Sequence, residues 1–289
     1  MFDKVAIFGV GLIGGSVALA LDRGQAVKRV VGVGRSRGSL DRALQLGVID
    51  EIARDERDAV HQADVVVIAA PVAQTGAILS AIAPHLGIRT VVTDAGSTKS
   101  DVVESARLAL GGRLPQFVPS HPIAGSERSG VDAAEAGLFD GKRCVLTPTG
   151  DTAGHAVERI RDLWTACGAQ VIEMSAAQHD RVFAAVSHLP HLLAFAYVNA
   201  IANGDDAETK FAQAGSGFRD FSRIAASSPE MWRDIMIANR PALLRELVEF
   251  EQQLALCRRA SEQADGAALD AVFESARDAR SRWRPFGGR

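Results

Sequence analysis

The chain has 289 residues, of which 47% are apolar, and a formal net charge of −3. This composition is typical of a globular protein with a buried core, and the length most simply divides into two domains. Because the sequence contains no block of like charges, it gives no electrostatic reason to expect nucleic acid or an anionic membrane as a partner.

The cysteines and the N-terminal residues favour a cytoplasmic protein. Cys144, Cys167 and Cys257 are odd in number, widely spaced and without the spacing of a metal site or a redox pair. We therefore predict reduced thiols and no bound metal. The first apolar run begins at residue 5, which leaves no room before it for a secretory signal, so we expect the cytoplasm as the location.

Up to residue 174, short β-branched runs alternate with helical segments. This alternation is typical of a parallel sheet that is covered by helices on both faces. We predict an α/β domain of the Rossmann type, with a parallel-rich sheet, over residues 1–174. Its predicted strands are residues 5–9, 30–34, 65–71, 90–95, 117–120, 144–147 and 171–174.

A glycine-rich turn joins the first predicted strand to a helical run. Gly9, Gly11 and Gly14 have the spacing of the dinucleotide fingerprint. The first glycine permits a tight turn, the second lets a pyrophosphate approach the backbone at the helix N-terminus, and the third lets helix and strand pack closely. We predict a nicotinamide site that contains Gly9, Gly11, Leu12, Ile13, Gly14 and, at the end of the third strand, Pro71.

The end of the second predicted strand bears on which nicotinamide cofactor is bound. An acidic residue there would bind the ribose 2′-hydroxyl of NAD, but the chain has Arg35, Ser36 and Arg37 after Gly34. Two guanidinium groups and a hydroxyl suit the 2′-phosphate of NADP. We predict that NADP is preferred over NAD. The alternative is that both arginines lie in a solvated loop and that either cofactor is accepted.

His121 follows an apolar strand, within the segment 120–127 (Ser-His-Pro-Ile-Ala-Gly-Ser-Glu). An imidazole is neutral enough at physiological pH to take a proton from a hydroxyl group while the same carbon gives up a hydride. A single histidine is more often a buried structural residue. Together with the dinucleotide turn, however, His121 predicts a dehydrogenase with a histidine base.

Beyond residue 174 the β-rich runs stop and helical periodicity continues. We predict a separate all-helical domain over residues 175–289. Its apolar stripes exceed what a lone small bundle needs, so we expect a homodimer formed through these helices. The stripes include Leu243, Leu244, Leu247, Val248 and Leu254, then Leu269, Val272, Phe273 and Ala276.

One stretch of the helical half is long enough to span a bilayer. Residues 182–203 contain no Asp, Glu, Lys or Arg. Polar groups within the stretch, at Ser187, His188, His191 and Asn199, would be costly in lipid. We therefore predict a helix that is buried inside an oligomer, and no membrane partner.

The same stretch contains a cluster of candidate ligands. Ser187, His188 and His191 have spacings that share one helical face, so they can point into one pocket. Two histidines three residues apart can bind zinc, but no nearby cysteine pair supplies further ligands. The cluster therefore favours a site for a small-molecule substrate.

Two arginines further along suit an acidic substrate. Arg219 and Arg223 are four residues apart and lie on one side of a helix, as a fork for a carboxylate would require. The alternative is a surface ion pair between Asp220 and Arg223, which would contribute little. The histidine cluster favours the first interpretation.

Five motifs occur in order along the chain: the Gly9 turn, residues 94–99 (Asp-Ala-Gly-Ser-Thr-Lys), residues 120–127, residues 187–191, and residues 217–224 followed by 231–235. In this set the chain resembles the prephenate and arogenate dehydrogenases of tyrosine biosynthesis. The resemblance implies an NAD(P)-dependent oxidative decarboxylation. Hydride passes from the ring hydroxyl carbon to the nicotinamide, the ring carboxylate leaves as carbon dioxide, and the ring becomes aromatic.

The resemblance also implies roles for single residues. His121 would remove the hydroxyl proton, and Ser97 would hydrogen-bond both His121 and the substrate hydroxyl. His188, His191 and Arg223 would hold the carboxylate and the side chain of the substrate. The other residues assigned to the pocket, some of them reaching across a dimer, are Glu127, Ser187, Arg219 and Trp232.

Two other functions stay open at this point. A β-hydroxyacid dehydrogenase of the hydroxyisobutyrate type has the same domain order, but it uses a lysine base, and the chain has no lysine between Lys142 and Lys210. A non-catalytic nicotinamide sensor would have no need of a base and a substrate site together. Prephenate and arogenate are equally compatible with the sequence.

Overall fold

The computed structural model describes residues 1–126 and 128–284. Within these residues, a sheet of six parallel strands has the order β3-β2-β1-β4-β5-β6. The order reverses between β1 and β4, and ligands of such sheets bind outside the carboxyl ends of the strands at this point. The strands are β1 (Val5–Phe8), β2 (Val30–Val33), β3 (Glu51–Ile52), β4 (Val65–Ile68), β5 (Val91–Asp94) and β6 (Phe117–Val118).

Helices cover both faces of this sheet, as the sequence predicts. Alternate residues of one strand belong to different cores: Val5 and Ile7 of β1 join one apolar cluster, whereas Ala6 and Phe8 join the other. Strands buried on both faces are therefore nearly continuous apolar runs. The first cluster includes residues of α1 (Leu12–Arg23), α2 (Arg37–Gln45) and α6 (Gly154–Ala166), and the second includes residues of α3 (Glu56–Val60), α4 (Thr75–Ile82) and α5 (Ser100–Leu110).

A second, smaller sheet carries His121. Its strands are β7 (Ser120–Pro122), β8 (Arg143–Leu146) and β9 (Gln170–Glu173), with β7 antiparallel and β9 parallel to β8. The predicted strand at 117–120 is thus two strands, separated at Pro119. Proline has no N–H to donate to a sheet ladder, and the Pro119 carbonyl accepts from the Thr147 N–H at 2.9 Å.

The described residues after Glu173 are helical wherever they form regular structure, as predicted. Several large apolar side chains remain exposed in the single chain, among them Phe221, Leu244, Val248, Leu254 and Phe273. The helices are α7 (Ala176–Phe183), α8 (Leu189–Ala202), α9 (Ala207–Ala212), α10 (Ser216–Ser222), α11 (Pro229–Ala238), α12 (Arg240–Glu262) and α13 (Gly266–Arg282).

A π-helical turn, Ala184–His188, joins α7 to α8 in one continuous helical segment. Pro190 provides a physical reason, because it lacks the N–H that an α-helix needs and its ring clashes with the carbonyl four residues earlier. The turn places His188 at the point where the helical register changes. By length and composition alone, the segment Ala176–Ala202 could cross a membrane, and 22% of its most apolar window is buried in the single chain.

Candidate active site

A cleft of about 880 Å³ opens at the carboxyl ends of β1, β2 and β4. Gly9 has a φ of +95°, and a Cβ there would lie 2.7 Å from the Ala70 nitrogen. A Cβ at Gly14 would meet the Gly9 carbonyl oxygen at 2.2 Å, so helix and strand could not approach as they do. At Gly11 a Cβ would meet nothing within 4 Å, which leaves open space beside the backbone for a pyrophosphate. The turn therefore fits a dinucleotide.

The far end of the cleft lies beyond β2. Arg35, Ser36 and Ser39 line it, and Ser36 also caps α2 by accepting a hydrogen bond from the Ser39 N–H at 3.2 Å. Glu56, at the start of α3, lines the same cleft. Sequence reasoning missed this carboxylate because it follows the two-residue strand β3, which was not predicted. The cleft thus presents one guanidinium group, two hydroxyls and one carboxylate near its β2 end.

The other predicted cofactor residues are divided between the cleft and its surroundings. Pro71 lines the cleft, whereas Leu12 and Ile13 form the first turn of α1 behind it. Arg37 does not line the cleft. Its guanidinium binds Asp41, one helical turn further along α2, at 3.0 Å. An exposed ion pair at this spacing is weak, so the role of Arg37 in binding a phosphate stays a prediction.

His121 is the first member of a chain of three titratable groups. Its Nδ1 lies 2.8 Å from Nε2 of His179, and Nδ1 of His179 lies 2.9 Å from the Asp180 carboxylate. An ionised carboxylate only accepts, so His179 donates from Nδ1 and accepts at Nε2. His121 must then donate from Nδ1, which leaves a lone pair on its Nε2. The three residues together fix the tautomer in which His121 can act as a base.

The Asp180 carboxylate is held at the N-terminus of α5. It accepts hydrogen bonds from the backbone N–H groups of Lys99 at 2.9 Å and Ser100 at 2.8 Å. Burial raises the pKa of Asp180, but hydrogen bonds from His179, Ser100 and Lys99 outweigh this effect and lower the pKa to about 2. The group therefore stays ionised throughout the physiological range.

His121 and His179, the two histidines of this hydrogen-bonded chain, are neutral at physiological pH because their pKa values are lowered. Burial, followed by the charges of His179 and Lys99, holds the pKa of His121 well below its usual value. Burial also lowers the pKa of His179, although its hydrogen bond to Asp180 opposes the shift. Phe183 packs beside both rings, with centroid distances of 4.9 Å to His121 and 4.5 Å to His179. A neutral imidazole is the form that can accept a proton.

A buried ion pair fixes the backbone just before His121. Lys99 and Asp94 are both buried and form an ion pair. The Lys99 ammonium also donates to the Ser120 carbonyl at 2.8 Å, and the Ser120 N–H donates to Asp94 at 3.1 Å. Trp164 donates from Nε1 to the Ser120 hydroxyl at 2.9 Å. Because removing one partner of a buried pair costs about 3–5 kcal/mol, this network holds β7 firmly at the end of β5.

His188 and His191 both pack against Trp232. The ring of His191 stacks on Trp232 with centroids 3.5 Å apart, and the ring of His188 meets it edge-on at 6.2 Å. His191 donates from Nδ1 to the Ser187 carbonyl at 2.9 Å, so its Nε2 is the free nitrogen. In the part of the chain that the structure describes, His188 Nε2 and Trp232 Nε1 are buried without a hydrogen-bond partner.

Two family models match the chain in succession. Residues 17–173 match the model described as "Prephenate dehydrogenase, nucleotide-binding domain". Residues 175–275 match "Prephenate dehydrogenase, dimerization domain". The chain belongs to the prephenate dehydrogenase family. It is accordingly a dehydrogenase with a nucleotide-binding part and a part that the family uses for dimerization.

Individual members of the prephenate dehydrogenase family resemble the chain over nearly its full length. The prephenate dehydrogenase of Bacillus subtilis is 40% identical over 97% of this chain and 76% of its own. The cyclohexadienyl dehydrogenase of Zymomonas mobilis is 37% identical over 97% of this chain and 96% of its own. The crystal structure of prephenate dehydrogenase from A. aeolicus, in complex with hydroxyphenyl propionate and NAD⁺, superimposes with a TM-score of 0.89 at 34% identity, covering 97% and 98% of the two chains.

The residues that the resemblance assigns to the site differ in their surroundings. Ser97 makes no hydrogen bond to His121 among the described residues; the Nδ1 partner of His121 is His179. Burial lowers the pKa of His188 to about 4, and a hydrogen-bonding interaction with the Ser97 backbone opposes this shift. Glu127 lies outside the described residues.

The two arginines of the predicted fork have different neighbours. Arg219 is exposed and pairs with the adjacent Asp220 at 3.2 Å. The predicted alternative had placed this aspartate with Arg223. Burial is the main cause of the lowered pKa of His191. The hydrogen bond to the Ser187 backbone opposes this shift, and the charge of Arg223 adds to it. The structure therefore brings Arg223 to the histidine cluster and leaves Arg219 at the surface with Asp220.

Sequence reasoning missed several functional candidates. His179 and Asp180 are adjacent in sequence, but nothing in their local pattern shows that α7 lies against β7. Asp94 and Lys99 belonged to a recognised motif without an assigned role. An Asp and a Lys five residues apart, at the end of a buried strand, were the available signal for an internal ion pair.

Proposed function

We propose that the chain catalyses the NAD(P)-dependent oxidative decarboxylation of prephenate, arogenate or both, which yields 4-hydroxyphenylpyruvate or L-tyrosine. The observation that carries this proposal is the His121–His179–Asp180 chain, which leaves one neutral imidazole nitrogen free as a base. The dinucleotide cleft opens at the carboxyl ends of β1, β2 and β4, and β7, which carries His121, is held through Ser120 by Asp94 at the carboxyl end of β5. The family of the chain supports the same activity.

The reaction needs a proton acceptor at the ring hydroxyl. His121 Nε2 takes the hydroxyl proton while the carbinol carbon loses a hydride, and the nicotinamide, when bound, accepts that hydride. The carbon–carboxylate bond then breaks, carbon dioxide leaves, and the bonding electron pair enters the ring. The ring oxygen becomes a phenolate, and His121 returns the proton to it. Aromatisation provides the driving force, so the protein chiefly orients the ring and moves one proton.

The pocket residues are proposed from their positions. His188 and Trp232 offer two buried N–H groups that can donate to substrate oxygens. The charge of Arg223 acts on His191, and a guanidinium group suits the carboxylate of the substrate. We assign the remaining residues Ser97, Glu127, Ser187 and Arg219 to the same pocket on the family motifs.

An absorbance assay tests the activity directly. Purified protein is mixed with prephenate or arogenate and with NAD or NADP, in all four pairings, and the reduced nicotinamide is followed. We expect turnover with at least one acid and carbon dioxide release equal to nicotinamide reduction. No turnover in any pairing would contradict the proposal and favour a nicotinamide sensor. Turnover of 3-hydroxyisobutyrate alone would favour the hydroxyacid dehydrogenase.

We further propose a preference for NADP over NAD. The Arg35 guanidinium and the Ser36 and Ser39 hydroxyls line the β2 end of the cleft, where a 2′-phosphate would lie. Glu56 lines the same cleft and opposes the preference, because its charge repels a phosphate. Support for the preference thus comes mainly from Arg35.

Arg35→Ala is expected to raise the KM for NADP about tenfold or more while changing the KM for NAD little, since one charge-assisted contact contributes about 1.5–3 kcal/mol. Steady-state kinetics with both cofactors measure this. Arg37→Ala is the matched control, because the Arg37 guanidinium binds Asp41 and not the cleft. An equal rise in the KM for NADP in both variants, or an equal rise for NADP and NAD in Arg35→Ala, would show that Arg35 does not distinguish the 2′-phosphate from the 2′-hydroxyl.

We propose a cytoplasmic homodimer formed through the helical half. Its exposed apolar side chains on α10, α12 and α13 would be covered in such a dimer. The same arrangement accounts for the apolar segment Ala176–Ala202, which a partner subunit would bury instead of lipid. The dimerization model matched by residues 175–275 supports the arrangement.

A further inference from the structure

The side chain of Asn239 lies between Asp180, the last member of the hydrogen-bonded chain that begins at His121, and His188. Asn239 is the residue between α11 and α12, and only 3% of it is exposed. An asparagine at a helix start commonly caps the helix, but this side chain makes no cap. Its Nδ2 lies 2.8 Å from the carbonyl oxygen of Asp180 and 3.0 Å from Nδ1 of His188. The amide therefore joins α7 to the π-helical turn.

These two contacts determine where the hydrogens lie. A backbone carbonyl only accepts, so the group that faces Asp180 is the NH₂ of the amide. Each of its two hydrogens has one acceptor: the Asp180 carbonyl and His188 Nδ1. Nδ1 must then carry a lone pair, and a neutral His188 carries its hydrogen on Nε2. That Nε2 is buried and makes no hydrogen bond of good geometry within the described ranges, although the Ser97 backbone lies near enough to the ring to affect its pKa.

We propose that Asn239 is a positioning residue that holds His188 in the Nε2–H tautomer, so that this N–H is a fixed donor to an acceptor oxygen of the bound acid. Without Asn239, the His188 ring can rotate by about 180° or its hydrogen can move from Nε2 to Nδ1. In either case an acceptor nitrogen takes the place of the Nε2–H donor. An acceptor facing a substrate oxygen would repel it. The tautomer is a property of the free protein, whereas its effect on the substrate rests on the proposed function.

Histidine labelled with ¹⁵N in the full-length protein tests the tautomer. Two-bond ¹H–¹⁵N correlation spectra distinguish a protonated ring nitrogen from an unprotonated one, and the His188 signal is assigned by its loss in His188→Gln. We expect His188 to be neutral and protonated at Nε2 alone. In Asn239→Asp, which has almost the same shape but only accepts, we expect the hydrogen on Nδ1. Asn239→Ala, which removes the donor without adding a charge, should give a mixture of tautomers.

Kinetics then measure the consequence for the acid substrate. We expect the KM for the acid to rise about 10- to 100-fold in Asn239→Asp, with a smaller change in kcat, because a buried donor has been lost. Asn203→Asp is the matched control, since Asn203 is exposed at the end of α8 and its change adds the same charge. The control should keep the wild-type KM and the wild-type His188 spectrum.

The outcomes separate this inference from the proposed activity. A wild-type His188 protonated at Nδ1, or an unchanged tautomer in both Asn239→Asp and Asn239→Ala, would overturn the inference. If Asn239→Asp fails to fold, the wild-type and Asn239→Ala spectra still decide it. If neither acid is turned over by the wild-type protein, the proposed function fails, while the tautomer of His188 remains a separate result.

Discussion

His121→Asn is expected to lower kcat by about 10²- to 10⁴-fold, the range that a positioned general base contributes. Asparagine keeps a polar side chain of similar reach but has no nitrogen that can accept the hydroxyl proton. The dissociation constant for the nicotinamide cofactor should stay within about twofold of wild type, because His121 does not line the dinucleotide cleft. Steady-state kinetics and fluorescence titration with the reduced cofactor measure the two quantities.

His155→Asn is the matched control for this variant. His155 is exposed on α6, so the same substitution there should leave kcat and cofactor binding unchanged. A His121→Asn enzyme with a normal kcat would remove His121 from the reaction. A loss of cofactor binding that matched the loss of kcat would instead indicate a structural role.

The same histidine predicts the pH dependence of the wild-type enzyme. A base works only when it is neutral, and the His121 pKa is held well below 6.5 by burial. Activity should therefore persist as the pH falls through 6.5 and should decline only when the pH reaches the lowered pKa. Asp180 stays ionised until the pH reaches its lowered pKa of about 2, so its hydrogen bond to His179 persists over the pH range of an ordinary assay.

The sequence predicted those parts of the molecule that depend on local pattern. The glycine spacing requires a turn of one shape, and the conformations of Gly9 and Gly14 agree with the roles assigned to them. The strand alternation likewise follows from burial on both faces. Where one residue interrupts a local pattern, prediction was less complete. Pro119 divides a strand between two sheets, and Pro190 accompanies a π-helical turn within a helix.

Side-chain partners distant in sequence were not predictable in the same way. His121 and His179 meet because β7 lies beside α7, and 58 residues separate them. Periodicity gives the buried face of a helix but not the element against which that face packs. Arg37 shows the opposite case: its partner Asp41 is one helical turn away, a spacing at which an ion pair can be recognised from the sequence.

The site combines a rigid part with a part supplied by the helical half. Asp94 and Lys99 hold the backbone before His121 from the sheet side. His179 reaches the same imidazole from α7, and Asp180 ties His179 to the start of α5. The His121 imidazole is thus oriented from two sides, by residues at the end of β5 and by residues of α7, and Lys99 and Asp180 of these two groups are 81 positions apart in sequence.

Asp180→Asn is expected to lower kcat by about 10²- to 10⁴-fold, although Asp180 is two hydrogen bonds away from His121 and three from the reacting oxygen. Asp180 Oδ1 accepts from both His179 and the Lys99 N–H, while Oδ2 accepts from the Ser100 N–H. If the asparagine oxygen keeps the Oδ1 position, His179 keeps its tautomer, but the negative charge that stabilises a protonated His121 is lost and the NH₂ faces the Ser100 N–H. If the NH₂ takes the Oδ1 position, it faces the Lys99 N–H and donates to His179 Nδ1, and the hydrogen of His121 then moves to Nε2, the nitrogen that should take the substrate proton.

His179→Gln provides the comparison that separates this effect from loss of structure. The glutamine carbonyl can accept from His121 Nδ1–H, which preserves the active tautomer, so this variant should retain more activity than either His179→Leu or Asp180→Asn. Thermal unfolding at pH 7 shows how much stability each variant loses, because Asp180 also accepts from the first N–H groups of α5 and its removal is expected to cost about 1 kcal/mol. A normal kcat in Asp180→Asn, or equal impairment of His179→Gln and His179→Leu, would show that the chain of hydrogen bonds does not set the tautomer of His121. The orientation of the imidazole would then come from packing, such as its contact with Phe183.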